Sequence, residues 1–116
     1  MRDVKPESSE RDIQRAILDL LERHPKVAWA QRMNTGAVKR HGRMIRFGFP
    51  GCPDIIGQMK DGRILGLEVK KDGGYASIEQ RSQIALMQLH GAVAAVVWSV
   101  DDVLDILKLE CGANLY

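Results

Sequence analysis

Apolar positions along the chain follow two periods. Ile13, Ala16, Ile17, Leu20 and Leu21 recur at i, i+3, i+4, i+7 and i+8, the spacing of one buried stripe on a helix. Ser8 or Ser9 is placed to cap that helix, and Pro25 stops it at about His24. Met1 to Glu7 shows no period and reads as a loose arm. Val27 to Met33 predicts a first strand with Trp29 turned to the core, and Asn34-Thr35-Gly36 a turn. Ala37 to Phe49 is either a second strand or a hairpin arm broken at His41-Gly42. Asp54 to Met59 and Ile64 to Lys70 are aliphatic runs joined across Asp61-Gly62, a strong hairpin signal.

Beyond that hairpin, Ser77 begins a second helix that Gly91 ends, and Ser77-Ile78-Glu79-Gln80 fits a capping box. Ala92 to Val100 is almost uniformly apolar, as a strand buried on both faces and parallel to its neighbour would be. Ser99 or Asp101 caps a last helix through about Leu109, with Val103, Leu104, Ile106 and Leu107 as its apolar set. The order α-β-β-β-β-α-β-α predicts an α/β fold in which helices flank a mixed β-sheet.

Candidate chemistry gathers on the hairpin. Alternation puts Glu68 and Lys70 on one face of their strand, Leu67 and Val69 on the other. Where Asp54 points depends on the turn. A two-residue loop of Asp61 and Gly62 sets Asp54 opposite Val69, on the wrong face for Glu68. A three-residue loop, Lys60-Asp61-Gly62 with Gly62 left-handed in a bulge, pairs Met59 with Arg63 and sets Asp54 opposite Glu68. Directly opposed residues hold their Cβ atoms about 4.5–5.5 Å apart. Two carboxylates that close repel unless a cation lies between them, so this second register amounts to a predicted metal site. Hard oxygen ligands select Mg²⁺ or Mn²⁺, and Lys70 on the same face suits hydrolysis of a phosphodiester.

Pro53-Asp54, followed fourteen residues on by Glu68-Val69-Lys70, resembles the PD-(D/E)xK nuclease signature. With the approach Gly51-Cys52-Pro53-Asp54, an early helix bearing Glu10 and a later one bearing Gln80, the chain is most similar to a stand-alone VRR-NUC domain of phage type, over roughly residues 8 to 104. The resemblance implies a restriction-endonuclease-like core and a metal-dependent endonuclease acting on DNA, Holliday junctions among its substrates. Symmetric cutting of a junction implies a homodimer. Asp54 and Glu68 would be the main metal ligands, joined by the backbone carbonyl of Val69 and supported by Glu10. Lys70 would act on the attacking water or the scissile phosphate, steadied by Gln80. Both outer residues carry a plain structural reading as well. A first-turn acid such as Glu10 complements the helix dipole, and Gln80 is the third residue of a capping box.

Composition agrees and narrows the class. At 116 residues, 45% hydrophobic and 28% charged, the chain has the length and balance of one globular domain. No apolar run reaches the roughly 18–20 residues that span a bilayer, and no signal-peptide pattern opens the chain, so an intracellular, cytoplasmic protein without membrane partners is expected. Cys52 and Cys111 lie far apart with no C-x-x-C spacing, which argues for free thiols over zinc or a disulfide framework. The net charge is only +2, but Arg32, Lys39, Arg40, Arg43 and Arg46 fall between Gln31 and Phe49 with no acid among them. That run, with Lys71 beside the site, is a candidate DNA-phosphate surface. His41 reads as a surface residue and Tyr75 as an exposed loop residue. The competing reading from another class is a non-catalytic nucleic-acid-binding module, whose mark would be a lost carboxylate or lysine; none is missing here.

Overall fold

Ser9 starts the first helix. Its hydroxyl accepts from the Asp12 N–H at 3.0 Å while the Asp12 carboxylate reaches back to the Ser9 N–H, so both orphan donors of the helix start are satisfied. The helix, α1, runs Glu10–Arg23 and buries Ile17 and Leu21 completely. In the computed structural model, which describes residues 9–33 and 36–112, it is followed by β1 (Val27–Arg32), β2 (Gly36–Arg40), β3 (Arg43–Phe47), β4 (Ile55–Met59), β5 (Ile64–Val69), α2 (Ile78–Leu89), β6 (Val93–Val97) and α3 (Val100–Gly112). The expected loose arm over Met1 to Glu7, the turn at Asn34-Thr35 and the last four residues lie outside the described residues.

Four strands form a mixed sheet in the order β1-β4-β5-β6, antiparallel except for the parallel pair β5 and β6. Alternation along β5 assigns the layers. Leu65, Leu67 and Val69 join Ile17 and Leu21 of α1 and Val103 and Leu107 of α3 in one core on one face. Fully burying such a side chain is worth roughly 1.5–3 kcal/mol, which makes this face the main stabiliser of the fold. Helix α2 lies on the opposite face, where Gly66 admits it. A Cβ there would run into the thioether end of Met87.

The segment between Gly36 and Phe47 resolves into a hairpin, the second of the two readings its sequence allows. His41 at φ 53° and Gly42 at φ 74° make its tight turn, and β2 and β3 form a separate two-stranded sheet. Trp29 departs from expectation. It is 45% exposed, because β1 carries a bulge: Val27 pairs with Met59 but Trp29 with Gln58, leaving Ala28 as an extra residue. One added residue inverts the alternation, and Trp29 lands on the face opposite the core.

The β4–β5 turn is the three-residue form. Met59 N–H donates to the Arg63 carbonyl at 2.7 Å, Gly62 N–H donates to the Met59 carbonyl at 2.9 Å, and Gly62 has φ 99°. Arg63 anchors this end of the hairpin, meeting Asp61 at 2.8 Å and Glu110 of α3 at 2.6 Å. Gly62→Ala should lower stability by about 1–2 kcal/mol, since a Cβ in left-handed backbone is strained. The midpoint of urea unfolding reads this out; an unchanged midpoint would mean the turn does not hold the register.

Candidate active site

The chain approaches through Pro53, which keeps Cys52 extended and sets how Asp54 enters the sheet. Met33 N–H donates to the Asp54 carbonyl at 2.7 Å, so the end of β1 holds the Asp54 main chain. Its carboxylate reaches across the ladder, where Oδ2 accepts the Val69 N–H at 2.8 Å. The pairs Ile55 with Leu67 and Ile56 with Gly66, continued by one step, place Asp54 opposite Glu68. Of the two registers open to the sequence, the structure has the one that brings the carboxylates together. Cys52 is a free thiol, buried, with burial pushing its pKa up; it fills space behind the site.

Glu68 is 1% exposed, beneath α2. Its Oε2 accepts from Gln80 Nε2 at 3.0 Å and lies 3.4 Å from Lys70 Nζ. Its Oε1 is buried without a hydrogen-bond partner among the described residues. Burial pushes the Glu68 carboxyl up to about 8; the nearby Asp54 charge adds to this, while Lys70 opposes it. At neutral pH the pair therefore calls for a positive charge, a proton or a cation, to lie with it. Gln80 makes two side-chain contacts, one to Ser77 and one to Glu68. Its carbonyl accepts the Ser77 N–H at 2.7 Å, closing the capping box, and its amide nitrogen holds Glu68.

These donors fit a hard divalent ion. Two carboxylates converge, one oxygen of Glu68 lacks a donor, and the Val69 carbonyl lies on the same strand edge as the Val69 N–H that meets Asp54. Glu10 is not brought into this group. Among the described residues no third His, Cys, Asp or Glu joins Asp54 and Glu68. The physical reason is the layer: the apolar stripe of α1 packs on the Leu67 and Val69 face, away from Glu68. Glu10 sits with Asp12 in the first turn of α1, where an acid complements the helix dipole.

The predicted basic residues are spread more widely. Arg32 ends β1 opposite Ile55, so register places it on the core side of the sheet, not with the carboxylates. Lys71 is exposed directly after Lys70, and Arg43 is exposed on the hairpin. The side chains of Lys39, Arg40 and Arg46 lie outside the described residues. His41 and Tyr75 are exposed, as expected. What sequence reasoning missed is the placement of Trp29 and Gln58 on the carboxylate face, since the bulge that turns Trp29 leaves no mark in the hydrophobic pattern.

Glu68 also makes stability depend on pH. Its carboxyl titrates near 8 in the folded chain against 4.5 for the ordinary group, so between these values the folded state holds the extra proton. Stability from this group is complete below about pH 4.5 and is lost as pH rises towards 8. Urea midpoints of chelator-treated protein should fall across that window, and Glu68→Gln should flatten the fall. A midpoint that climbs through the window would contradict a Glu68 carboxyl buried beside Asp54.

No family model matches the sequence, and no curated protein does. Solved structures match the fold. One described as "VRR_NUC domain protein" is 22% identical, covering 92% of this chain and 91% of that one with a TM-score of 0.62. Another, described as "VRR_NUC domain", is 18% identical, covering 94% of this chain and 100% of that one with a TM-score of 0.56. The chain thus has the fold of a VRR-NUC domain, an α/β core built on a mixed sheet.

Proposed function

We propose that the chain is a metal-dependent endonuclease that hydrolyses phosphodiester bonds in DNA. The observation that carries this reading is the Asp54–Glu68 pair, with one buried oxygen of Glu68 unpartnered and Lys70 3.4 Å from the other. A VRR-NUC fold around that pair supports it. Asp54, Glu68 and the Val69 carbonyl would hold Mg²⁺ or Mn²⁺. Such an ion, when bound, polarises the phosphate and acidifies a water.

The remaining roles belong to the chain. Asp54 and Glu68 are anchored before substrate arrives, one by the Val69 N–H and the other by Gln80, so little reorganisation is needed on binding. Lys70, with a side chain 15% exposed, presents its ammonium where negative charge builds on the phosphate in the transition state. Gln80 fixes the Glu68 carboxylate from the start of α2 and so ties the acid to a rigid helix. Lys71 and the basic run Lys39, Arg40, Arg43 and Arg46 supply phosphate contacts along the DNA backbone, while Arg32, on the core side of the sheet, is set apart from them. The finer reading is a branched substrate of the Holliday type cut by a homodimer. One chain carries one Asp54–Glu68 pair, and symmetric cutting of two strands takes two.

Nicking assays in Mg²⁺ or Mn²⁺ test this. Asp54→Ala and Lys70→Ala should each reduce cleavage by about a hundredfold or more while gel-shift affinity persists. Four-way junction, flap, duplex and single-stranded DNA, compared with one preparation, rank the substrates. Absence of cleavage by the unaltered protein on every DNA would replace the enzyme by a binding module.

A further inference from the structure

We propose that Trp29 is a stacking site for an unpaired nucleotide of the DNA whose phosphate meets the Asp54–Glu68 pair; the assignment rests on the nuclease reading above. Helix α2 packs over β5 and β6, and on that same face the β1–β4 half of the sheet presents exposed Gln31 and Trp29 beside half-buried Ile56 and Gln58. Register ties this half to the site. Trp29 pairs with Gln58, Gln58 with Ile64, and Ile64 shares its face of β5 with Glu68.

Three features make Trp29 a built contact. The bulge at Ala28 takes its ring out of the core, although an indole is among the most favourable groups to bury. The exposed ring is then held: Nε1 donates to Gln58 Oε1 at 3.1 Å, and Gln58 Nε2 donates to the Gly62 carbonyl at 3.2 Å. A ring already oriented loses little freedom when a base stacks on it. Charge completes the path. Lys60 N–H bonds the Lys26 carbonyl at 2.9 Å where β4 meets the start of β1, and both lysines are exposed beyond Trp29. Lys70 and Lys71 stand at the other end, so a polyanion crossing the open half-face meets cations at both ends.

Spacing bounds the position. Gln58 lies four residues from Asp54 along the strand direction, about 13 Å at the rise of a β-strand, so the stacked nucleotide falls within a few nucleotides of the scissile phosphate. Aromatic faces take any base but only an unstacked one, so the site favours DNA with an unpaired segment near the cut over blunt duplex.

The test uses the full chain in chelator, where no cleavage occurs, with a blunt duplex and the same duplex bearing a short single-stranded tail. The chain has two tryptophans, so Trp98→Phe leaves Trp29 as the sole tryptophan, read alone by excitation beyond the tyrosine band. The tailed DNA should quench it and the blunt DNA should not. By anisotropy of labelled DNA, Trp29→Ala in the otherwise unaltered chain should bind the tailed form about tenfold or more weakly, with blunt binding unchanged. Trp29→Phe should recover most of the loss, which a folding defect would not allow. Unquenched emission with equal affinity for Trp29→Ala and unaltered chain, in a protein that still cuts DNA, overturns the stacking site and leaves the nuclease reading standing. A protein that neither binds nor cuts any DNA overturns both.

Discussion

Two carboxylates face each other across neighbouring antiparallel strands, and the rest of the molecule is arranged to keep them there. Asp54 and Glu68 would separate if either strand slipped by one residue, because a slip exchanges the faces of every side chain. The three-residue loop at Lys60-Asp61-Gly62 prevents it. Gly62 at φ 99° closes the bulge, and Arg63 fastens that end of the hairpin to Asp61 and to Glu110 of α3. Asp54 is held at the other end by Met33 through its main chain and by Val69 through its carboxylate. Like charges that would repel in a looser structure are thereby held together, and their shared environment calls for a positive partner.

Division of labour between the two faces of β5 makes this tolerable. Leu65, Leu67 and Val69 are fully buried between the sheet and the pair α1 and α3, so the strand is anchored by its apolar side. Glu68 and Lys70 occupy alternate positions and face α2. The helix that covers them begins at Ser77, and its capping box uses the side chain of Gln80 to accept from the Ser77 N–H. Because an amide offers an acceptor and donors at once, the same side chain closes the cap and grips Glu68. The start of a helix and the orientation of an acid are therefore one event, and loosening either loosens both.

Much of this was legible in local patterns. Helix caps at Ser9 and Ser77, the parallel apolar strand Val93–Val97 and the hairpin across Asp61-Gly62 follow from residues that signal through short-range geometry. The proximity of Asp54 and Glu68 was legible as one of two registers, since a turn's loop length can be enumerated from its glycine. Trp29 was misplaced, and Glu10 was not gathered with the pair, for related reasons. Alternation along β1 breaks at the bulge before Trp29, and which layer of the fold receives the face of α1 depends on events elsewhere. The bulge at Ala28 is an extra residue without a composition signal, and the packing of α1 against the Leu67 and Val69 side depends on the whole sheet. Long-range placement of a short motif is set by topology, which hydrophobic period does not encode.

Glu68 also shows why a fold would retain an arrangement that weakens it. A fully buried glutamate with one oxygen lacking a donor is less favourable than an apolar residue of its size, because desolvation of a charged group exceeds what Lys70 and Gln80 return. Nothing in the packing of β5 against β6 demands an acid there, since the neighbouring Gly66 and Leu67 satisfy the strand without one. The acid is held in its pocket by elements whose stability comes from the opposite face, and one of its oxygens has no hydrogen-bond partner among the described residues. Held in a rigid setting, such a deficit of positive charge is met by a proton at neutral pH and would be met equally by the cation of the proposed function.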